Sequence, residues 1–424
     1  MRTIEGHDVK IFTDRVEDSA LEQIARLLSI EVFGGCKIRI MPDVHAGAGC
    51  VIGFTGDLGE RVIPNIVGVD IGCGIRVQPF RSAGGADFHA LNEYIRRAIP
   101  SGRDCRGEAH LPLPHKYMED YREAKELLKQ MLCYRELSDV KRLRNSIGTL
   151  GGGNHFIELD RDGCGMSYLV VHTGSRNLGK QVAELYQKLA VKCQSGWDEL
   201  MLEQNRLIAE YKQAGRKSEL QEAIRQLHCS FKMRRPAIPP DLCYLEKSCR
   251  DSYLHDMRLC QRWAQINRRL ITGLIMDWMT AQGWVDMAGE EYAPLAFESV
   301  HNYIGDDNII RKGAISAREG EKCIIPLNMR DGSLICIGRG NADWNYSAPH
   351  GAGRIMSRKQ AFDNISLDDY RRSMDGIYSE SVSEQTKDES PMAYKPKDEI
   401  ITNIRDTVTV AQAIKPVYNF KAVE

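Results

Sequence analysis

The sequence predicts a mixed α and β fold in which strands and helices do not alternate regularly. Short β-branched or apolar runs end in glycine, asparagine or serine, a pattern typical of strands that lead into loops. Other segments carry charged and apolar residues at helical spacing. Because no β-α-β rhythm joins the two kinds of segment, a doubly wound sheet is not expected. The strand-like runs are 36–43, 74–80, 155–160, 166–179, 322–327 and 333–338, and the helical segments are 115–132, 196–233 and 250–281.

The chain of 424 residues contains no Pro/Ser-rich linker and no low-complexity tract. We therefore expect one large domain over 1–424, with a helical insertion at about 180–282. Within 250–281 the apolar residues recur at intervals of three and four, which predicts a helix that faces the core. Asn267 interrupts that apolar stripe, and we assign this helix no chemistry.

The composition is that of a soluble globular protein, with 42% hydrophobic and 27% charged residues. A net charge of −1 argues against nucleic-acid binding through overall charge, although 311–360 carries nine Lys and Arg against four Asp and Glu. That segment is either a local basic surface or a solvated charged face. Thirteen cysteines without a C-x-x-C pair, a polar N-terminus and the absence of a long apolar run predict free thiols and a cytoplasmic protein without a membrane span.

Five histidines share one context, close to glycine or asparagine after a strand-like run. One histidine in such a place is usually structural, whereas five suggest a common site. Asp70 and Cys73 stand three apart between glycines, so that a tight turn would bring a carboxylate and a thiolate to one side. This ligand set suits Zn²⁺ or Mn²⁺ in an open catalytic site of one or two metal ions. The histidines are His45, His155, His172, His301 and His350.

The run GTLGGGNHFIEL, residues 148–159, has the composition of a loop that binds phosphate through backbone N–H groups. It is not a P-loop, because no Lys-Ser/Thr follows. It is not a dinucleotide fingerprint either, because a β-like run follows where a helix should begin. Asn154 and Glu158 offer specific hydrogen bonds, and Arg176 is a candidate phosphate contact.

His350 lies in the turn APHGAGR, within the most basic part of the chain. A neutral imidazole is a nucleophile toward phosphorus, and a covalent phospho- or nucleotidyl-histidine needs open backbone and a nearby cation. Gly351, Gly353 and Arg354 supply both. The residues alone therefore predict metal-dependent phosphoryl or nucleotidyl transfer, through a histidine.

These motifs resemble those of the RtcB family of RNA-splicing ligases, in the family's order and over nearly the whole chain. The resemblance implies an RtcB-type α/β fold, with mixed β-sheets surrounded by helices and a central active-site cleft, in a divergent bacterial-type paralogue. The matching motifs are MPDVHAGAGCVIG (41–53), GVDIGCG (68–74), GTLGGGNHFIE (148–158), VHTGSRNLG (171–179), HNYI (301–304), RKGAISA (311–317), APHGAGRIMSR (348–358) and MAYK (392–395).

The activity implied by the resemblance joins RNA ends carrying a 3′-phosphate or 2′,3′-cyclic phosphate to 5′-hydroxyl ends, with GTP and two Mn²⁺ ions. His350 matches the histidine that the family guanylylates, and Cys73 matches a thiolate that bridges the two metal ions. The resemblance implies tRNA, or damaged tRNA or rRNA, as the substrate. We expect a monomer.

The resemblance also assigns residues to three sets. The metal ligands are Asp70, Cys73, His155, His172 and His301. The guanylate pocket comprises Asn154, His155, Phe156, Ile157, Glu158, His301, Asn302, Pro326, Leu327, Asn328, Met329, Ser333, His350, Gly351, Ala352, Gly353, Tyr394 and Lys421. The substrate contacts are Asp43, His45, Arg176 and Arg354.

One motif departs from the family pattern. Where the family usually has Pro-Gly-Ser-Met-Gly, residues 326–330 are Pro-Leu-Asn-Met-Arg. Two glycines and a serine are replaced by larger side chains, so guanine recognition is expected to differ in detail, while His350 and all the matched metal ligands are retained.

Two alternatives remain open from the sequence. A metal-dependent cyclic phosphodiesterase would act on RNA ends without ligating them, and would need neither GTP nor His350. A non-catalytic RNA-binding protein would need neither Asp70 nor Cys73. For a divergent paralogue with its own RNA target, the helical region 196–250, with FKMRRP at 231–236, is where we expect RNA specificity.

Overall fold

Two large β-sheets and the helices around them make up the protein, in a computed structural model that describes residues 1–286 and 292–422. This architecture confirms the predicted mixed α and β class. The strands are β1 (Arg2–Thr3), β2 (Val9–Ile11), β3 (Ile38–His45), β4 (Ile52–Gly56), β5 (Arg61–Val62), β6 (Gly74–Arg81), β7 (Phe156–Arg161), β8 (Met166–Thr173), β9 (Leu245–Glu246), β10 (Phe297–Val300), β11 (Tyr303–Ile304), β12 (Ile310–Lys312), β13 (Ala314–Ser316), β14 (Lys322–Asn328), β15 (Gly332–Gly338), β16 (Ser347–Pro349) and β17 (Val408–Lys421). The helices are α1 (Asp18–Leu28), α2 (Pro64–Val67), α3 (Phe88–Ala98), α4 (Met118–Gln130), α5 (Val140–Asn145), α6 (Asn177–Gln194), α7 (Trp197–Gln213), α8 (Leu220–Ser230), α9 (Lys247–Ala281), α10 (Arg358–Asn364), α11 (Leu367–Ser373) and α12 (Lys397–Asn403).

The larger sheet has seven strands in the order β10-β6-β8-β7-β17-β15-β14, and each neighbouring pair is antiparallel. The smaller sheet has the order β1-β2-β3-β4-β12-β11 and is mixed, because β2 and β3 pair in parallel. The six strand-like runs of the sequence are confirmed as β3, β6, β7, β8, β14 and β15.

The register of the larger sheet brings four of the predicted metal ligands to one end. Cys73 immediately precedes β6, His155 precedes β7, His172 is near the end of β8, and His301 follows β10. Gly74, the first residue of β6, pairs with the end of β8 on one side and with the end of β10 on the other. Antiparallel neighbours thus place residues that are far apart in the chain in one row.

The longest helix, α9, packs against β6 and β8 beneath this end of the sheet. Its buried apolar side chains confirm the predicted core-facing stripe. Asn267, which interrupts that stripe, is fully buried. Its side chain accepts from the N–H groups of Gly148 and Thr149 at 2.7 and 3.1 Å and donates to the carbonyl oxygens of Thr149 and Gly174 at 3.0 and 3.3 Å. One amide therefore satisfies the backbone of two loops.

Helices α6 to α9 occupy the segment predicted as a helical insertion. Helices α6 and α9 bury many side chains, whereas α7 buries only Leu200 and, over its described residues, α8 buries none. The α7–α8 pair is therefore an exposed part of the helical segment. The single domain over 1–424 and its insertion stay predictions.

Two findings bear on the expectations drawn from the composition. All thirteen cysteines are free thiols, as predicted. Throughout 1–286 and 292–422, no helix has both the length and the apolar character required to cross a membrane.

Replacing Asn267 by alanine is expected to destabilise the protein by about 2–4 kcal/mol, because backbone groups of two buried loops lose their partners. Denaturant unfolding followed by circular dichroism measures the change. Gln265→Ala, on the exposed face of the same helix, is the control and should change the free energy of unfolding by no more than about 0.5 kcal/mol. Equal stability of the two variants would contradict the role assigned to Asn267.

Candidate active site

Five side chains meet at the end of β6, β7, β8 and β10. The Sγ atom of Cys73 lies 3.4 Å from Nε2 of His155 and 3.3 Å from Nε2 of His172. Nε2 of His172 lies 3.4 Å from Nε2 of His301, and Nε2 of His155 lies 3.1 Å from Oδ2 of Asp70. The donor atoms form two triads that share Cys73, and the atoms of each triad lie within 4.8 Å of one another.

Backbone carbonyls determine which ring nitrogen of two histidines faces this cluster. Nδ1 of His155 lies 2.9 Å from the carbonyl oxygen of Leu150, and Nδ1 of His172 lies 3.1 Å from that of Asn154. A carbonyl oxygen only accepts, so each Nδ1 donates its proton; Nε2 of His172 then presents a lone pair inwards, while Nε2 of His155 contacts the Asp70 carboxylate. The Nε2 atoms and the Sγ atom of Cys73 thus point at one another, as ligand atoms around a divalent cation do. The cluster therefore fits divalent metal ions.

Burial and charge leave the cluster with the ligand states that a metal ion needs. Burial lowers the pKa of His172 and His301 well below the usual range, so both are neutral at pH 7. Burial raises the pKa of Asp70, but the hydrogen bond and charge of His155 outweigh it and bring the pKa to about 2. Burial and the charge of Asp70 raise the pKa of Cys73 well above its usual range, so this thiol would lose its proton to a bound cation. Imidazole, carboxylate and thiolate together suit Zn²⁺, Mn²⁺ or a similar ion.

Arg268, on α9, holds the backbone that carries these ligands. Its guanidinium is buried and donates to the carbonyl oxygens of Gly72 and Thr173 at 2.8 and 3.0 Å. It also donates to the carboxylate of Glu298 at 2.9 Å. Each of these three acceptors lies within three residues of a ligand in the chain, so Arg268 ties together three of the segments that form the cluster.

His350 stands beside the cluster, directly after β16. Its Nδ1 lies 2.7 Å from Oδ2 of Asp43, and its backbone N–H donates to the same oxygen at 3.2 Å. Asp43 is fully buried, so water does not compete for this contact. Because the carboxylate oxygen accepts, Nδ1 donates and Nε2 of the neutral ring keeps its lone pair. The centre of the His350 ring lies 4.8 Å from that of His301.

The glycines of the APHGAGR turn allow this approach. Gly353 has φ = +74°, in the left-handed region, and a Cβ on it would lie 2.6 Å from the carbonyl oxygen of Asp43. Any other residue would therefore push the turn away from β3. The backbone at Gly353 and the hydrogen bond at His350 hold the turn against the same strand.

A pocket opens beside His350, between β3, β7, β14 and the end of β17. Most of the residues predicted for the guanylate pocket and the substrate line it. These are His45, Asn154, Phe156, Glu158, Pro326, Leu327, Asn328, Met329, His350, Gly351, Ala352, Gly353, Arg354, Tyr394 and Lys421. The metal-type cluster reaches the same pocket through His172. The prediction missed Gly332, Arg358 and Glu389, which also line it.

Glu389 organises the charged end of this pocket. Its buried carboxylate accepts from Nζ of Lys421, from the hydroxyl of Tyr394 at 2.8 Å and from the guanidinium of Arg354 at 3.4 Å. Burial raises the pKa of Glu389, but the charge of Lys421 and these hydrogen bonds outweigh it and lower the pKa below its usual value. Glu389 stands five residues before the MAYK tyrosine, a spacing that no sequence rule links to a site.

Glu158 provides a second carboxyl group in the pocket. Burial raises its pKa to about 7, against the opposing charge of Lys421. Oε1 accepts from the side-chain amide of Asn419 at 2.5 Å. Asp160, two residues on in β7, is fully buried, and burial followed by the charge of Glu158 raises its pKa well above the usual range. Burial therefore makes the Glu158 carboxyl a weaker acid than a solvated one.

The segment that departs from the family pattern forms a closed turn between β14 and β15. The side chain of Asn328 accepts from the N–H groups of Arg330 and Asp331 at 3.0 and 2.9 Å and donates to the carboxylate of Asp331 at 2.7 Å. Leu327 and Met329 are buried. The three heteroatom contacts of Asn328 thus stabilise the turn itself.

Several predicted pocket residues have other positions. Ile157 faces the opposite side of β7 from Phe156 and Glu158, in a hydrophobic cluster, as strand alternation requires. Ser333 is fully buried on β15. Asn302, with φ = +60°, donates to the carbonyl oxygen of Asp70 at 3.2 Å and accepts from the N–H of Gly313. Asn302 therefore supports the backbone of the metal-type cluster. His155 and His301, which were also predicted for the pocket, belong to that cluster.

The two predicted phosphate-binding arginines already contact protein acceptors. Arg176 donates to the carbonyl oxygen of Gly102 at 3.2 Å and to the hydroxyl of Thr149 at 3.3 Å. Arg354 donates to the carbonyl oxygens of Met356 and Asp388, besides Glu389 and Tyr394. Both arginines thus order the walls of the site, and their contact with phosphate stays a prediction.

The basic stretch 311–360 does not form one basic surface. Arg311 is buried and pairs with Asp307 at 2.9 Å. Lys312 is buried and donates to backbone carbonyls. Arg330 pairs with its neighbour Asp331. Several of its charges are therefore satisfied within the protein.

The fold and the site define a mixed α and β protein with a histidine, cysteine and aspartate cluster beside a pocket that charged and apolar side chains line together. The family model described as "tRNA-splicing ligase RtcB" matches residues 21–422. The chain therefore belongs to the RtcB family.

Curated relatives agree with this assignment. The RNA-splicing ligase RtcB of Escherichia coli K12 is 30% identical, over 98% of this chain and 97% of that protein. The tRNA-splicing ligase RtcB of Pyrobaculum aerophilum is 26% identical, over 93% and 90%. The RNA-splicing ligase RtcB of Mycobacterium tuberculosis is 26% identical, over 85% and 90%. The similarity spans nearly the whole chain.

Replacing Glu389 by glutamine is expected to lower the free energy of unfolding at pH 7 by about 1.5–3 kcal/mol, because charge-assisted hydrogen bonds in the pocket wall are lost. The pKa of Glu389 is lower in the folded than in the unfolded protein. Its contribution is thus complete above the unfolded pKa, near 4.5, and is lost as the pH falls through the folded value.

Urea unfolding of wild type and Glu389→Gln between pH 3 and 7 tests this expectation. The difference between the two proteins should be largest at pH 7 and should narrow below about pH 4.5. Glu384→Gln, at an exposed position nearby, is the control and should change little. A constant difference across the pH range would contradict the assignment.

Proposed function

We propose that this chain is a GTP- and Mn²⁺-dependent RNA ligase that works through a guanylyl-histidine at His350. It joins RNA ends carrying a 3′-phosphate or 2′,3′-cyclic phosphate to 5′-hydroxyl ends. The observation that carries the proposal is the position of His350, which is bonded at Nδ1 to the buried Asp43 and lies in the wall of the pocket beside His301. A nucleophilic nitrogen is thereby held between a candidate metal centre and a candidate nucleotide site.

The metal-type cluster supplies the ligands for two ions. Asp70, Cys73 and His155 would hold one ion, and Cys73, His172 and His301 the other. Bound divalent ions would neutralise phosphate charge during group transfer. Because Cys73 belongs to both triads, its thiolate would make occupancy of the two sites interdependent.

The proposed reaction begins when Nε2 of His350 attacks the α-phosphorus of GTP. An N–P bond forms, the bond to the bridging oxygen of the β-phosphate breaks, and pyrophosphate leaves. The Asp43 carboxylate accepts the Nδ1–H hydrogen bond throughout and stabilises the positive charge that the ring acquires.

The nucleotidyl group then moves to RNA. An oxygen of the RNA 3′-phosphate attacks the same phosphorus, the N–P bond breaks, and the RNA end now carries GMP. The 5′-hydroxyl oxygen of the second RNA attacks the activated 3′-phosphate, its proton passes to solvent, and GMP leaves. Cyclic ends are first hydrolysed by water to the 3′-phosphate at the same site.

The pocket chemistry favours guanine over adenine. Guanine presents adjacent N–H donors at N1 and N2, whereas adenine has an acceptor at N1. The ionised carboxylate of Glu158 accepts hydrogen bonds and therefore complements guanine. The names of the relatives, RNA-splicing and tRNA-splicing ligases, support RNA, and tRNA in particular, as the substrate.

Incubation with GTP labelled at the α-phosphate and Mn²⁺ is expected to label the wild-type protein covalently. His350→Ala should give no label, because the nucleophile is lost. Asp43→Asn should form the adduct at least about 10²-fold more slowly, because the developing charge on the ring is no longer balanced. His7→Ala, at an exposed position, should match wild type.

Failure of the wild-type, Mn²⁺-loaded protein to form the adduct would overturn the ligase proposal. Hydrolysis of 2′,3′-cyclic ends by His350→Ala without GTP, combined with that failure, would identify the cyclic phosphodiesterase instead. RNA binding that persists in Asp70→Ala, with no reaction on RNA ends by wild type, would identify the non-catalytic alternative.

Replacing Cys73 by serine is expected to weaken Mn²⁺ binding at both sites by at least about 100-fold, because both triads use its sulfur. Isothermal titration calorimetry of metal-free protein measures both sites. Cys164→Ser, at an exposed cysteine, is the control. Loss of only one of the two ions would contradict the shared role of Cys73.

A further inference from the structure

A second group of candidate metal ligands lies where three helices meet and shares no residue with the active-site cluster. Cys193 is in the last turn of α6, Asp198 in the first turn of α7 and Cys249 in the first turn of α9. One sulfur or oxygen atom from each lies within 4.8 Å of the other two. Both cysteines are half-buried free thiols, and Asp198 is exposed.

The donor atoms suit one particular class of ion. Two thiolates and one carboxylate are a borderline-soft set that Zn²⁺ binds, with Zn–S distances of about 2.3 Å and Zn–O distances of about 2.0–2.2 Å. A tetrahedral ion with such bonds separates its ligand atoms by about 3.5–4 Å, which is within the 4.8 Å that bounds the spacing of these three atoms. Three protein ligands leave one position for water.

The surroundings of Cys193 keep its thiol protonated in the absence of a cation. Burial, and then the neighbouring Cys249 and Asp198, raise the pKa of Cys193 above its usual range. The thiol protons would therefore leave when a divalent ion arrives. The positive ends of α7 and α9 lie at Asp198 and Cys249, which lowers the cost of negative charge there.

The α7–α8 pair has few other attachments. Among its described residues only Leu200 is buried, so apolar packing holds the pair weakly. Polar and aromatic contacts join its ends to α6: Arg234 donates its backbone N–H to the carbonyl oxygen of Ser195 at 2.9 Å, and Nζ of Lys192 lies 5.3 Å from the Trp197 ring. A metal ion bound by α6, α7 and α9 would attach the start of the pair to a helix of the core.

We propose that Cys193, Asp198 and Cys249 form a structural Zn²⁺ site that anchors the α7–α8 pair to the body of the protein. Binding releases the two thiol protons to solvent, and no electron transfer is involved. The site is separate from the active-site cluster and does not depend on the proposed ligase activity.

Metal-free protein, prepared with a chelator under reducing conditions, is loaded with Zn²⁺, and bound zinc per chain is measured by mass spectrometry after removal of free ion. Cys193→Ser and Cys249→Ser should each bind one Zn²⁺ fewer than wild type. Cys229→Ser, an exposed cysteine on α8, is the matched control and should bind as much as wild type. The Cys73→Ser variant should lose zinc from the active-site cluster and keep the zinc that Cys193 and Cys249 bind.

The Asp198→Ala variant tests the site even where a cysteine variant misfolds. Because Asp198 is exposed, we expect this substitution to leave the fold intact. This variant should bind Zn²⁺ at the proposed site at least about 10-fold more weakly than wild type does. Limited proteolysis measures the structural effect of the ion. Zn²⁺ should slow cleavage within 196–231 in wild type and in Cys229→Ser, but it should not change the rate of cleavage in Cys193→Ser.

Equal zinc content in wild type and both cysteine variants would overturn the proposal. So would formation of a Cys193–Cys249 disulfide under mild oxidation in protein that binds no additional Zn²⁺, since the pair would then be a redox site. Loss of zinc in the cysteine variants without any change in proteolysis would leave a metal site but overturn its anchoring role.

Discussion

One buried arginine and one buried asparagine, adjacent on α9, hold together the loops on which the site depends. Arg268 binds the carbonyl oxygens of Gly72 and Thr173, and Asn267 binds the backbone of the 148–153 loop. The metal-type ligands lie at the ends of separate strands, where the β-ladder no longer satisfies the backbone. Long polar side chains from a core helix supply the missing hydrogen-bond partners. The ligands can therefore converge although they do not lie on one helix or strand.

The same arrangement explains why the cluster fits a cation. Four strand ends bring imidazole nitrogens, a thiol and a carboxylate to distances near 3.3 Å, while carbonyl oxygens hold the outer ring nitrogens of two histidines. His350 stands outside both triads, and its Nδ1 donates to Asp43 of the other sheet. One sheet therefore positions the candidate ligands and the other positions the candidate nucleophile, and the pocket lies where they meet.

Particular residues show which features of the candidate site one sequence reveals and which it does not. The strand-to-loop histidines and the turn with Asp70 and Cys73 could be found from the sequence, because glycine and asparagine mark strand ends. Ile157 was assigned to the pocket as part of a run, although a strand turns alternate side chains away from each other. Glu389 was missed because a carboxylate among other surface-type residues carries no signal until its partners Lys421, Tyr394 and Arg354 are known.

By itself, the sequence determined the fold class, the family and the identity of the candidate ligands and nucleophile, since these depend on local periodicity and on motifs preserved in order. Only the tertiary structure decided how these residues pair. Cys73 is shared by two triads, Asp43 binds His350, and Asn267 links two loops, because antiparallel register and helix packing join residues that are 82 to 307 positions apart. Such contacts leave no periodic trace in one sequence, because each depends on the geometry of both partners at once.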